Sequence, residues 1–183
     1  MPDINTAITI EGWMVPAELE WLAQQASEHS RVVEIGSWAG RSTRAMADNL
    51  PPGGVIYAVD TWEGSDEDVH RNMLAGKPKD WLFEQFARNI WPRSNVNAVR
   101  MSSVDAAKYL KELEFDMIFI DAAHDYESVK ADILAWRPLM KIGGMFCGHD
   151  FSHPPVKRAV LELVPEAVAV LPTTGDIWGW IVK

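Results

Sequence analysis

Short apolar runs alternate with longer stretches of helical spacing along most of the chain. Residues 16–30 place Leu19, Leu22, Ala23 and Ala26 on one face, with Pro16 at a favoured first-turn position. Residues 31–35 then read as a strand and 41–50 as a helix, closed by the turn Pro51-Pro52-Gly53-Gly54. A second strand, 55–59, ends at Asp60. Residues 61–78 are polar and acidic, carry Gly64, Gly76 and Pro78, and read as one long irregular insertion. A helix over 80–90 stops before Pro92, and 97–101 is a short third strand. Ser103 is placed to cap a helix running to 113. The unbroken apolar run 115–120 suits a central parallel strand covered on both faces. An amphipathic helix spans 126–139, a glycine turn at 141–144 leads into a fifth strand at 145–148, and 155–164 is again helical. The β runs 167–171 and 177–182, joined by a glycine-containing turn at 172–176, read as a hairpin.

Strand–helix units repeated in this way predict an α/β fold, a doubly wound Rossmann-like sheet with helices on both faces. The terminal hairpin puts one antiparallel strand into it. The whole chain, 1–183, reads as a single domain, with 1–30 as an N-terminal extension and helix and 61–79 as a lid over the substrate.

Composition narrows the chemistry. The 183 residues hold no apolar run long enough for a membrane span, which needs about 18 residues. The first residues lack the basic start and apolar run of a secretory signal. Cys147 is the single cysteine and lies in an apolar run, as expected of a buried strand residue in a reducing cytoplasm. A net charge of −9 with no basic cluster argues against a nucleic-acid partner. A small-molecule substrate is the expectation. The first fifteen residues and the nine tryptophans offer a surface for a second copy of the chain.

In a doubly wound sheet, ligands bind beyond the carboxyl ends of the strands, so polar residues just after each strand are the candidates. Strand one runs into Glu34-Ile35-Gly36-Ser37-Trp38-Ala39-Gly40 before a helix. Glycines there leave backbone N–H groups pointing outward and no side chain in a ligand's way. Glu34 would repel a pyrophosphate but suits a cationic ligand end, such as the amino acid half of S-adenosylmethionine. The plain alternative is an ordinary strand-to-helix turn. Asp60, followed by Thr61, can accept both hydroxyls of a ribose, or merely cap a turn. Ser102 and Ser103 stand where an adenine edge would lie, or serve as a helix cap. Asp121, at the end of strand four, can hold an amino group, bind a metal or take a proton; Asp125 is better placed as the next helix cap. His124 and His149 are candidate general bases. Asp121 and Asp150 project from adjacent strand ends and can share Mg²⁺ or another divalent metal, with His149 or water completing the shell. The counter-reading is that Asp150 and His149 bind substrate or orient each other.

With these residues in place, the chain resembles the class I S-adenosylmethionine-dependent methyltransferases. It is most similar to the small-molecule O-methyltransferase branch of macrolide-sugar and cephalosporin-pathway type. The resemblance rests on Glu34 to Thr43, Ile120 to Glu127 and Gly143 to Asp150, together with Gly12-Trp13. It implies seven strands in the order 3-2-1-4-5-7-6. It also implies that Glu34, Gly36 and Gly40 flank the methionine half of the cofactor, Asp60 holds the ribose, and Ser102 and Ser103 lie by the adenine. Some relatives bind Mg²⁺ through aspartates matching Asp121 and Asp150. Two departures stand out: His149 replaces an acidic residue, and Trp38 replaces a middle glycine and is expected to pack over the helix start. A non-catalytic S-adenosylmethionine-binding protein is the rival reading. A nicotinamide-dependent oxidoreductase is opposed by Glu34, the wide Gly36–Gly40 spacing and the hairpin.

Overall fold

The apolar runs pair as the inner strands of one sheet in the computed structural model, which describes residues 1–65, 67–171 and 176–183. The strands are β1 (Arg31–Ile35), β2 (Val55–Asp60), β3 (Val96–Arg100), β4 (Phe115–Ile120), β5 (Met140–Gly148), β6 (Val168–Ala169) and β7 (Trp178–Ile181). They lie in the order 3-2-1-4-5-7-6, as the resemblance implies. β1 to β5 are parallel, and β7 enters antiparallel to both β5 and β6.

Helices α1 (Pro16–Ala26), α2 (Arg41–Ala47), α3 (Asp68–Leu74), α4 (Trp81–Ile90), α5 (Ser103–Tyr109), α6 (Tyr126–Trp136) and α7 (Pro154–Leu163) fill the connections. Strand alternation decides which helices each residue meets. Val33 and Ile35 of β1, with Ile118 and Ile120 of β4, pack with Ala106, Ile133, Trp136 and Val160 of α5, α6 and α7. Val32, Met117 and Phe119 point the other way, onto Leu19 and Leu22 of α1 and Met46 of α2. β4 is therefore buried on both faces, which is why it reads as an unbroken apolar run.

Several local expectations are corrected. The insertion at 61–78 is not wholly irregular, since it holds α3. β5 begins at Met140, not 145, and absorbs Gly143 and Gly144 through an irregular register opposite Phe115 and Met117. Ser102, not Ser103, caps α5, accepting the Asp105 N–H at 3.3 Å. The β6–β7 pairing of the hairpin stands, but its turn at 172–175 and Asp66 of the acidic insertion lie outside the described residues. Asp125 caps α6 as expected, and Cys147 is fully buried in β5.

Candidate active site

The carboxyl ends of β1, β2, β4 and β5 open into a cavity of about 460 Å³. That size falls within the roughly 300–1,000 Å³ of small-molecule sites. Its walls include Gly36, Ser37, Trp38, Asp60, Thr61, Ser103, Asp121, His124, His149 and Asp150. Glu34, Gly40 and Ser102 are not among the lining residues.

The glycine turn does not present its backbone as expected. The N–H of Gly36 donates to Val59 O at 2.9 Å and that of Gly40 to Ser37 O at 2.8 Å. The Trp38 N–H donates to Asp60 Oδ2 at 2.8 Å. Gly36 is thus bonded across to β2, Gly40 closes the turn on Ser37, and Trp38 is bonded to the side chain at the end of β2. A Cβ on Gly36, where φ is +89°, would stand 1.9 Å from the carbonyl oxygen of Asp121. Gly40, with φ of +91°, caps α2 against Ile90 and Phe86. Glu34 is fully buried and accepts a hydrogen bond from the Thr43 hydroxyl. Burial raises its carboxyl from an ordinary 4.5 to about 7, against the opposing hydrogen bonds of Ser42, Thr43 and Ser37.

Asp60 ties two loops together. Its Oδ2 takes the Trp38 N–H, and its Oδ1 takes the Trp62 N–H at 2.7 Å. Burial pushes its pKa up, while those backbone donors pull the other way. Ser102 is exposed and spent on its cap. Ser103 does line the cavity, with its Oγ accepting from Trp136 Nε1 at 2.9 Å.

The strand-four and strand-five ends meet in a charged cluster. His124 Nε2 lies 3.0 Å from Asp150 Oδ2, and its Nδ1 lies 2.9 Å from Glu67 Oε1 of the insertion. His149 Nδ1 lies 3.1 Å from Asp150 Oδ2 and 3.8 Å from Asp121 Oδ1. On its other side, His149 Nε2 is 3.4 Å from Glu18 Oε2 of α1. Asp150 hydrogen-bonds His124 and, helped by the surrounding carboxylates, raises it to about 9 against burial. Burial lowers the affinity of His149 for a proton, but Asp150, Glu18 and Asp121 together carry it up to about 11. Burial lifts Asp121 to about 6. Asp150 falls well below the usual carboxylate range, because the two histidines outweigh its burial. Ligand atoms of Asp121, His124 and Asp150 converge within 4.8 Å of one another, so His124, and not the expected His149, joins the two expected aspartates.

Glu18 was not legible as a site residue, Glu67 was legible only as part of the acidic insertion read as a lid, and of the segment Glu11 to Met14 only Gly12-Trp13 stood out, as part of the resemblance. The sequence signal at Glu18 is that of a helix cap, which it also is, since its Oε2 accepts the Val15 N–H at 3.0 Å. The N-terminal segment crosses the cavity mouth and is held by Arg41, whose Nε donates to Met14 O at 3.0 Å and whose Nη1 donates to Ile8 O at 3.0 Å and Ile10 O. There Trp38, with φ of +45°, stacks on His70 of α3 at 4.5 Å between centroids. Trp13 leans on both, at 5.5 and 5.4 Å.

Comparison with known proteins agrees with this architecture. A family model for a methyltransferase domain (methyltransferase 24) matches residues 33–151, from β1 through the end of β5. A curated relative, the uncharacterized protein y4gI of Sinorhizobium fredii, is 24% identical over 84% of this chain. The chain spans only 16% of that relative's length. Among solved structures, an O-methyltransferase from Bacillus cereus in complex with SAH superposes with a TM-score of 0.65, at 19% identity over 98% of this chain and 87% of its own. TomG, an O-methyltransferase of Streptomyces achromogenes solved with SAM, gives 0.67 at 16% identity over 93% and 82%. Cofactor-bound Rv0187 from MTB gives 0.71 at 19% identity over 97% and 87%. The structural neighbours share the fold, the family model covers the strands that build the cavity, and on that footing the chain belongs to the methyltransferase-domain family.

Proposed function

We propose that the protein methylates a hydroxyl of a small molecule with S-adenosylmethionine as donor. The observation that carries this reading is one cavity holding both a nucleoside-type wall, Asp60 with Thr61 and Ser103, and an acid–base group, Asp121 with His124. The whole chain works as one domain, with 61–79 and its helix α3 as the lid, in the cytoplasm. No helix among the described residues is long and apolar enough to cross a membrane.

The residues fit the donor. Asp60 lines the cavity with each oxygen fixed by one backbone N–H, and the second lone pair of each is left to accept a ribose hydroxyl. Ser103 faces the adenine side, while Gly36, Ser37 and Trp38 form the wall nearest the methionine half. Glu34 acts there from behind, as a buried carboxyl that a nearby cationic group would help to ionise. When bound, S-adenosylmethionine supplies a methyl whose bond to sulfur breaks as a bond to the acceptor oxygen forms, its electron pair staying on S-adenosylhomocysteine. Asp121, at about 6, is mostly ionised at neutral pH and basic enough to take the hydroxyl proton. His124 and His149, held protonated, keep Asp150 in place and offset the negative charge around Asp121.

The set Asp121, His124 and Asp150 also fits Mg²⁺ or another divalent cation, on the condition that His124 gives up its proton. A cation there would lower the acceptor hydroxyl's pKa. The test is a thermal-shift panel of S-adenosylhomocysteine, NAD and divalent metals on the wild type and Asp150→Ala, joined to methyl transfer from labelled S-adenosylmethionine into a small-molecule extract. S-adenosylhomocysteine should stabilise both proteins. Preferential stabilisation by NAD would sink the reading, and binding with no labelled product would leave the non-catalytic alternative. A metal shift lost in the variant supports the cation; no shift in either protein removes it.

A further inference from the structure

The cavity mouth has a composition that the proposed reaction does not itself require. Trp13 is 55% exposed at a site where the cavity wall continues into Trp38 and His70. Three aromatic rings from three separate elements, the N-terminal segment, the β1 turn and α3, thus meet at one opening. Burial lowers the pKa of His70, and its Nδ1 lies 2.7 Å from the Ser65 hydroxyl, so it presents a neutral ring face. Glu67 joins this wall to the acid–base group: it stands at the N-terminus of α3 and its carboxylate pairs with His124.

The charge of the cavity is acidic on balance. Glu11 and Glu67 stand at its mouth, Asp60, Asp121 and Asp150 stand deeper in with the protonated His124 and His149, and no lysine is among the described lining residues. The one arginine, Arg41, spends its Nε and Nη1 on carbonyls of the N-terminal segment. A phosphate or carboxylate entering here meets the carboxylates of the mouth first, and the two histidines beyond them are already held by Glu67, Asp150 and Glu18, so no free fork of donors receives it.

Resting on the methyltransferase reading, we propose that the acceptor is a flat aryl or heteroaryl alcohol, neutral or cationic, seated against Trp13 and His70 within reach of Asp121. Anionic acceptors, including nucleotide-linked sugars, are disfavoured by the same wall. Aromatic stacking of about 0.5–1.5 kcal/mol corresponds to roughly a two- to tenfold change in affinity, and a cationic substituent adds attraction to the ring faces and to Glu11 and Glu67.

The experiment titrates the full chain, with and without S-adenosylhomocysteine, with three phenols of one ring and different charge: 4-ethylphenol, tyramine and 4-hydroxyphenylacetate. Uridine diphosphate glucose is the fourth probe, and saturation-transfer NMR is the readout. Tyramine and 4-ethylphenol should bind at least threefold more tightly than 4-hydroxyphenylacetate, and the nucleotide sugar more weakly still. Trp13→Ala should weaken both favoured phenols severalfold and Trp13→Phe should restore them. As an exposed change, Trp13→Ala should move the ligand-free melting temperature by no more than about 2 °C. Tighter binding of either anion, or phenol binding indifferent to Trp13→Ala, overturns the proposal. Loss of S-adenosylhomocysteine binding alone refutes the cofactor reading instead, since the phenols are also titrated without it.

Discussion

Replacing Glu34 by glutamine isolates the energetic consequence of a carboxyl placed behind the cavity. The side chain is fully buried, and its pKa stands at about 7 in the folded protein against an ordinary 4.5. A group that binds its proton more tightly when folded contributes stability that is complete below the unfolded pKa and is lost as pH rises through the folded one. The window is therefore pH 4.5 to about 7. At about 1.4 kcal/mol per pKa unit, the loss amounts to roughly 3 kcal/mol. Glutamine keeps the shape and an acceptor for the Thr43 hydroxyl but never ionises. The stability of Glu34→Gln relative to wild type should thus improve by roughly 3 kcal/mol between about pH 4.5 and pH 8. In a domain of this size that is a relative melting shift of roughly 6–12 °C. Paired urea titrations at four pH values measure it, and titrating groups other than Asp121, whose charge acts on Glu34, cancel in the difference. A gap between the two proteins that stays constant across the range would refute the reasoning.

Gly36→Ala must place a Cβ 1.9 Å from the Asp121 carbonyl at a φ of +89°. Left-handed strain of about 1–2 kcal/mol plus overpacking of about 1–3 kcal/mol should lower the urea midpoint markedly, and a near-wild-type midpoint contradicts the close strand approach. Asp60→Asn exchanges a carboxylate held by Trp38 and Trp62 N–H groups for a neutral amide. Calorimetry should show S-adenosylhomocysteine binding weakened about tenfold or more, as expected when charge-assisted hydrogen bonds of about 1.5–3 kcal/mol are lost. The His124 pairing contributes stability below the unfolded value of 6.5 that disappears as pH rises through about 9. In Asp150→Asn the NMR titration of His124 should move down toward its ordinary value, and an unmoved midpoint would show that Glu67 alone holds the proton.

The sheet was legible because its strands obey a simple rule. A run apolar at every position, such as 115–120, has to be covered on both sides, and crossovers of helical period leave parallel pairing as the solution. Helix α3 was not legible, because none of its residues Asp68–Leu74 is fully buried and they show no apolar stripe. Within the site, Asp60, Asp121, His124 and Asp150 follow from strand ends alone, and the cavity does gather them. Gly36 was found for the wrong physical reason: its missing Cβ makes room for the Asp121 backbone. Glu18 and Trp13 reach the site only through the tertiary docking of α1 and the N-terminal segment, which no local pattern encodes. Glu18 is buried at 3% exposure beneath His149, well outside the stretch matched by the family model.

Arg41 holds the N-terminal segment through carbonyl groups only, at Ile8, Ile10 and Met14. Attachment through main-chain oxygens is indifferent to which side chains the segment carries, so the grip of Arg41 does not depend on Trp13 or Glu11. The same stretch is also seated by Ala7, Ile10 and Met14, all buried, and by the Asp3 N–H, which donates to Asn49 Oδ1 at 2.8 Å. What fastens the cover is thus its backbone and its buried positions, and what it shows to the cavity mouth is a separate set of side chains on one short stretch of chain.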